Sequence, residues 1–139
     1  MHIVRDSDGC HYVLLEEGQP TCRVREIPSG EQTTIPCAEL STVEPAAALD
    51  ALGIQGDDRE TLREIGSVRA IGLLFELEAT GPLSVRALLD QFDICESAFN
   101  GVTTELRAAG CIEPTTVYGE RGYRVTDTAR EALGTREQS

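Results

Sequence analysis

Leu62, Ile65, Val68, Ile71, Leu74 and Leu77 recur every three residues, a spacing that places them on one broad face and predicts a helix from about 59 to 79. Asp57 with Glu60 three residues on has the spacing of a capping box, Gly66 is a point of flexure, and the "TGP" at 80–82 ends the run. So apolar a helix has to be covered by the rest of the chain or by a partner.

The segment before it has a different period. "HIVR", "CHYVLLE", "TCRVREI" and "EQTTIP" are short β-prone runs separated by Asp8-Gly9, by Glu17-Gly18-Gln19-Pro20 and by Pro28-Ser29-Gly30. They predict a small antiparallel β-meander of three or four strands over residues 1–40. About forty residues bury too little core to stand alone, so the meander must lean on the second part or on another chain. Residues 41–58, Ala-rich after Pro45 and broken by Gly56-Asp57-Asp58, form a connector with a short helix.

Beyond residue 80 the signals are local and dense. Ser84 caps a second helix that ends near Gln91, with Leu83 and Leu88 placed as a hydrophobic staple. After the turn "FDIC" a third helix covers about 96–109, with Phe99, Val102, Leu106 and Ala109 inward, and Gly110 is a left-handed stop. A strand "TTVY", a turn "GERG", a strand "YRV" and a short helix from near Thr126 follow.

Helix, helix, turn, helix and hairpin is the order of a winged helix-turn-helix. The stretch "LSVRALLDQFDICESAFNGVTTELRAAGCIEPTTVYGERGYRVTDTAREAL" resembles the DNA-binding core of MarR-like and related archaeal winged-helix regulators. The resemblance rests on a recognition helix that ends in Leu, three residues, Gly and two apolar residues (Leu106 to Ile112), and on the closing pattern from Val125 to Leu133. The block "GQPTCRVREIPSGEQTTIP" is similar to segments of haloarchaeal winged-helix proteins. The expected fold class is therefore α+β: the meander, the connector, and a winged helix-turn-helix domain over 59–139.

On that reading the helix at 96–109 lies in the major groove and the wing, about 115–125, lies on the phosphate backbone or in the minor groove. The outward face of the helix carries Ser97, Asn100, Gly101, Thr104 and Arg107, of which Asn reads adenine and Arg reads guanine or grips phosphate. Glu96 and Glu105 on the same helix oppose this by repelling phosphates. Arg121 at the wing tip and Arg124 on the return strand are candidate phosphate contacts, the alternative being ion pairs with Glu120 or Glu113. Arg86 in the second helix either clamps the backbone or pairs with Asp90 at i+4.

Charge bears on whether DNA is an acceptable partner. The formal net charge is −12, and all twelve basic residues are Arg. A strongly acidic chain without Lys is similar to proteins of extreme halophiles, whose cytoplasm holds molar salt. At about 1 M salt the Debye length is ~3 Å, so an acidic protein can still approach DNA. Residues 59–139 hold nine of the twelve arginines.

Other chemistry is sparse. With no apolar leader and no apolar run long enough to span a bilayer, a cytoplasmic location without membrane contact is expected. The five cysteines, Cys10, Cys22, Cys37, Cys95 and Cys111, are then expected as reduced thiols. Cys10, His11, Cys22 and Cys37 lack the spacing of a zinc knuckle, so neither a metal nor another cofactor is expected. No nucleophile and base pair or Gly-rich phosphate loop argues for an enzyme.

These readings converge on a sequence-specific transcriptional regulator of double-stranded DNA, acting as a homodimer because one recognition helix reads few base pairs. Leu62, Ile65 and Val68, which precede the part of the first helix expected to pack on its neighbours, are the candidate dimer surface. The alternative is a protein-interaction module, an adaptor winged helix that does not bind DNA.

Overall fold

The computed structural model describes residues 1–27, 29–92 and 94–134. It has the α+β class expected, with antiparallel sheets and six α-helices among the described residues. Pro28 of the third expected turn and Asp93 of the turn before the third expected helix lie outside the described residues, as does 135–139.

The meander forms as β1 (Ile3–Arg5), β2 (His11–Glu16), β3 (Thr21–Ile27) and β4 (Gln32–Pro36), and a short β5 (Ser41–Thr42) returns beside β1 to give the order β4-β3-β2-β1-β5. Its first turn is closed locally. Asp6 accepts from the N–H groups of Asp8 at 3.0 Å and Cys10 at 2.9 Å and from the Tyr12 hydroxyl at 2.8 Å, while Gly9 takes φ +88°. Burial and that carboxylate together push the Tyr12 phenol up.

Both faces of the sheet are covered, which is why β2 reads as four consecutive apolar residues rather than an alternation. Ile3, Val13, Leu15 and Ile27 enter the main core. On the other face Val4, Tyr12, Leu14, Cys22 and Val24 form a second cluster, closed by Ile35, Cys37 and Leu40. Cys22 and Cys37 are joined there by a disulfide, with Cα atoms 5.4 Å apart, so the expectation of five reduced thiols is corrected for this pair. The Cys37 N–H donates to the Pro20 carbonyl at 3.0 Å, which extends the β3–β4 ladder and brings the two sulfurs to one face. A loop of this length is worth roughly 3 kcal/mol of chain entropy. Reduction should therefore lower the melting temperature of the wild type and leave that of a Cys22→Ala/Cys37→Ala double variant unmoved. A wild-type melt indifferent to reductant would contradict this.

The connector holds α1 (Pro45–Ala51), and α2 (Gly56–Leu62) follows. The single helix expected over 59–79 is two helices, α2 and α3 (Val68–Thr80), separated at 63–67. The interruption is built by Glu105, whose carboxylate accepts from the N–H groups of Gly66 at 2.8 Å and Ser67 at 3.1 Å, while the Ser67 hydroxyl caps Ala70 at 3.3 Å. A second helix N-terminus therefore stands where the apolar repeat alone predicted continuity. The expected capping box is not at a cap either: Gln55 is the N-cap of α2, and Asp57 and Asp58 sit in its first turn.

Breaking the helix changes which surface Leu62 and Ile65 meet. Leu62 is 0% and Ile65 3% exposed, covered within the chain by α2 packing on α6 (Asp127–Gly134) with Ala129, Ala132 and Leu133. Val68 is half-buried. The dimer surface expected from Leu62, Ile65 and Val68 is therefore corrected. Full burial of one such side chain is worth about 1.5–3 kcal/mol, and the fold takes it intramolecularly.

α3 is the centre of the molecule, with every residue from Ala70 to Leu77 buried. The β-sheet lies against it, with the backbone of Met1 and His2 pressed onto Gly72. α5 (Glu96–Ala108) and the second sheet also pack on it. β6 (Leu83–Ser84) leads directly into α4 (Val85–Gln91), capped by the Ser84 hydroxyl on Ala87 N–H at 3.1 Å. β7 (Ile112–Val117) and β8 (Glu120–Val125) form a hairpin, and the sheet order is β6-β8-β7, so Pro114 lies on an edge strand that tolerates its missing N–H. Gly122 pairs with Ser84 where β6 lies close against β8: a Cβ there would lie 2.4 Å from the Leu83 carbonyl oxygen. Thr126 caps α6 through Ala129 N–H at 3.2 Å. Among the described residues no helix is long and apolar enough to cross a membrane.

Candidate nucleic-acid interface

α5 buries Phe99, Val102, Thr103 and Leu106 and exposes Ser97, Asn100, Gly101, Thr104 and Arg107, the face expected from its period. Ala109 is its C-cap and is half-buried. Glu105, expected to oppose an anion on this face, is turned away to cap α3. Glu96 remains exposed at the N-terminus of the helix.

The hairpin beside α5 turns tighter than its sequence suggests. Tyr118 and Gly119 alone form the turn, with φ +50° and +80°, and Val117 pairs with Glu120. The expected turn "GERG" is corrected accordingly: a two-residue turn with both φ positive matches the right-handed twist of the flanking strands. Arg121 therefore lies in β8 opposite Thr116, one residue inside the strand rather than at the tip, and it is exposed.

Alternation along β8 puts Arg121 and Tyr123 on one face, toward α5. The Tyr123 ring packs on Phe99 with centroids 6.4 Å apart and planes tilted by 59°. Its hydroxyl lies 3.5 Å from Arg121 Nη2. Burial alone would raise that phenol. Hydrogen bonds from Arg121 and Thr103, with the positive charges of Arg121 and Arg107, outweigh burial and lower it. Arg121 of the hairpin thus meets this hydroxyl directly, while Arg107 of α5 acts on it through its charge alone. Neither has an ion-pair partner among the described residues.

The other two expected cations are engaged. Arg124 donates from Nε to Glu113 at 2.6 Å, as directly opposed cross-strand residues do, and so takes the ion-pair alternative rather than being held out toward solvent. Arg86 pairs with Glu120 of the hairpin at 3.3 Å and not with Asp90, because β6 and β8 are neighbours and bring the start of α4 to the hairpin. A pair this exposed is worth at most about 1 kcal/mol.

Sequence reasoning misses two residues of this surface. Tyr123 reads there only as a strand residue, although its spacing from Arg121 carries the shared face. Tyr118 reads as the end of a strand, and it stands fully exposed at the turn.

The cysteines and histidines do not assemble into a site. Cys22 and Cys37 are bonded to each other, Cys10 is exposed, and no group of three or more metal-ligating side chains exists among the described residues. Burial pushes the Cys111 thiol up to about 11. Cys95, the exposed N-cap of α5, is held below the ordinary thiol value by the Ser97 hydroxyl and the Ala98 N–H. A cleft of about 400 Å³ is lined by Leu15, Glu17, Arg69 and Phe92 among others, and none of the expected contact residues lines it.

A family model matches residues 1–136, nearly the whole chain. The chain belongs to the DUF7346 family, a family of unknown function. Comparison with curated proteins and with solved structures finds no match. The DUF7346 model covers the β-sheet and the helices alike, in keeping with a core that both share around α3.

Proposed function

We propose that this DUF7346 chain is a winged helix-turn-helix protein that binds duplex DNA as a transcriptional regulator. α4 and α5 form the helix-turn-helix, with α5 in the major groove, and β7–β8 form the wing on the adjacent backbone or minor groove. The observation that carries the reading is the pair Arg107 and Arg121. In a chain of net charge −12, both stand exposed and without ion-pair partners among the described residues, flanking a polar helix face of Ser97, Asn100 and Thr104. A Lys-free acidic surface suits a salt-accumulating cytoplasm, where screening removes long-range repulsion from phosphate. Selectivity calls for a second copy on a second half-site, through a surface other than the Leu62 and Ile65 stripe.

The second reading, a protein-interaction module, draws on the neutralisation of Arg86 by Glu120 and Arg124 by Glu113. Arg121→Glu separates the two. On the DNA reading it weakens duplex binding by about 10- to 100-fold for all sequences and reduces the salt slope by about 1. Unchanged affinity at matched salt, or no duplex binding by the wild type at any salt from about 0.1 to 1 M, the range over which screening changes most, would favour the adaptor.

A further inference from the structure

We infer that Tyr118 is a minor-groove anchor: its ring packs on the deoxyribose walls beside the major-groove site of α5, and its hydroxyl donates to the base acceptors on the groove floor. This rests on the DNA reading above and specifies what the hairpin tip contributes to it.

Tyr118 is 100% exposed, and it is the large hydrophobic residue found exposed among the described residues. It is also the non-glycine residue found there with positive φ, at +50°. Two-residue turns of this geometry favour Asn, Asp or Gly at that place, because a side chain in the left-handed region crowds its own backbone. A bulky ring is therefore carried at a conformational cost and, fully exposed, repays none of it through packing within the chain. The ring is therefore left free for a contact outside the chain.

Charge selects the occupant. The acidic residue next to the tip, Glu120, is held by Arg86 at 3.3 Å, whereas Arg121 beside it has no ion-pair partner among the described residues. The tip accordingly offers a flat aromatic ring and a hydroxyl donor, and one residue inside β8 stands a guanidinium without an ion-pair partner among the described residues. A surface complementary to that set is anionic, walled by apolar C–H groups and floored by acceptors. The minor groove has this composition: phosphates at its rim, deoxyribose along its sides, and adenine N3 and thymine O2 below. Because sugars and acceptors recur at every step, the contact tolerates sequence. It adds affinity and fixes the orientation of α5, and it leaves base choice to the helix.

The chain contains no tryptophan, so Tyr118→Trp places a single indole fluorophore at the tip. The probe is a mixed-sequence duplex of about 30 base pairs, roughly three helical turns. Wild type, Tyr118→Trp, Tyr118→Phe and Tyr118→Asn are each titrated with it, and acrylamide quenching of the introduced indole is read free and bound. The expected results are a several-fold drop in quencher access on binding, about tenfold weaker binding by Tyr118→Asn, and an intermediate loss for Tyr118→Phe. Tyr118→Asn should also melt higher than the wild type, because Asn suits the turn; a variant merely damaged in its fold would melt lower. A complex in which the indole stays as open to acrylamide as in the free protein, or unchanged affinity of Tyr118→Asn, overturns the inference while leaving the DNA reading standing. Failure of the wild type itself to bind the duplex overturns both.

Discussion

Replacing Arg25 by Met should cost about 3–5 kcal/mol of stability, the range for removing one partner of a buried ion pair. Glu76 is 0% exposed in the middle of α3, and it is held there by Arg25 Nε at 2.8 Å and Nη2 at 3.1 Å and by the side-chain amide of Gln91. Arg25 Nη1 also donates to the Gly30 carbonyl at 2.8 Å. The fork of the guanidinium therefore ties the β3–β4 turn to the central helix, and Gln91 ties in the end of α4. Without Arg25 the carboxylate is left desolvated with a single amide donor. The loss comes from that stranded charge and not from the attraction removed, so Arg25→Met/Glu76→Leu should recover most of it. Denaturant unfolding of the two variants checks both statements. A loss below about 1 kcal/mol for Arg25→Met would mean that the pair behaves as an exposed one does.

Gly72→Leu should be nearly as damaging, at about 3 kcal/mol or somewhat more, the upper end of overpacking costs. A Cβ at Gly72 would lie 2.0 Å from the Met1 carbonyl oxygen and 2.8 Å from His2 Cα, and these are backbone atoms that cannot swing aside. The start of β1 would have to leave α3, taking Ile3 out of the core. Gly101, in the interior of α5, is the control. Nothing lies within 4 Å of a Cβ there and its φ is not in the left-handed region, so Gly101→Ala should stabilise by about 0.5–1 kcal/mol through helix propensity. Opposite signs at two helical glycines are the expected result of parallel thermal melts. If Gly72→Ala, the smaller substitution, gains stability as Gly101→Ala does, the close packing of β1 on α3 is wrong.

Much of the candidate interface was legible because its determinants are local. The outward set on α5 follows from a period of 3.6 residues once Phe99, Val102 and Leu106 are placed inward. Whether its cations stand available was not legible. Arg86, Arg121 and Arg124 look alike in sequence, and the strand register decides that Arg124 meets Glu113, that Arg86 meets Glu120, and that Arg121 meets the Tyr123 hydroxyl and, among the described residues, no carboxylate. The tip is ambiguous in sequence because "YGERG" holds two glycines. Gly119 serves the turn, whereas Gly122 serves the close approach of β6 to β8.

The sequence by itself determined the elements whose stabilising contacts close within a few residues: the turn held by Asp6, the caps at Ser84 and Thr126, the stop at Gly110 with φ +74°, and the α+β class that follows from them. Such contacts depend on spacing along the chain, and spacing is what a sequence displays. Tertiary structure decided what depends on elements far apart meeting. Glu105 holds the start of α3 from 38 and 39 residues away, Arg25 reaches Glu76 across 51, Cys22 finds Cys37, and α6 covers the stripe that looked free for a partner. Each of these is a choice among partners of equal chemistry, carboxylates, thiols or apolar faces. Only the packing of the whole chain, around α3 and on the far face of the sheet, decides which of them come within contact distance.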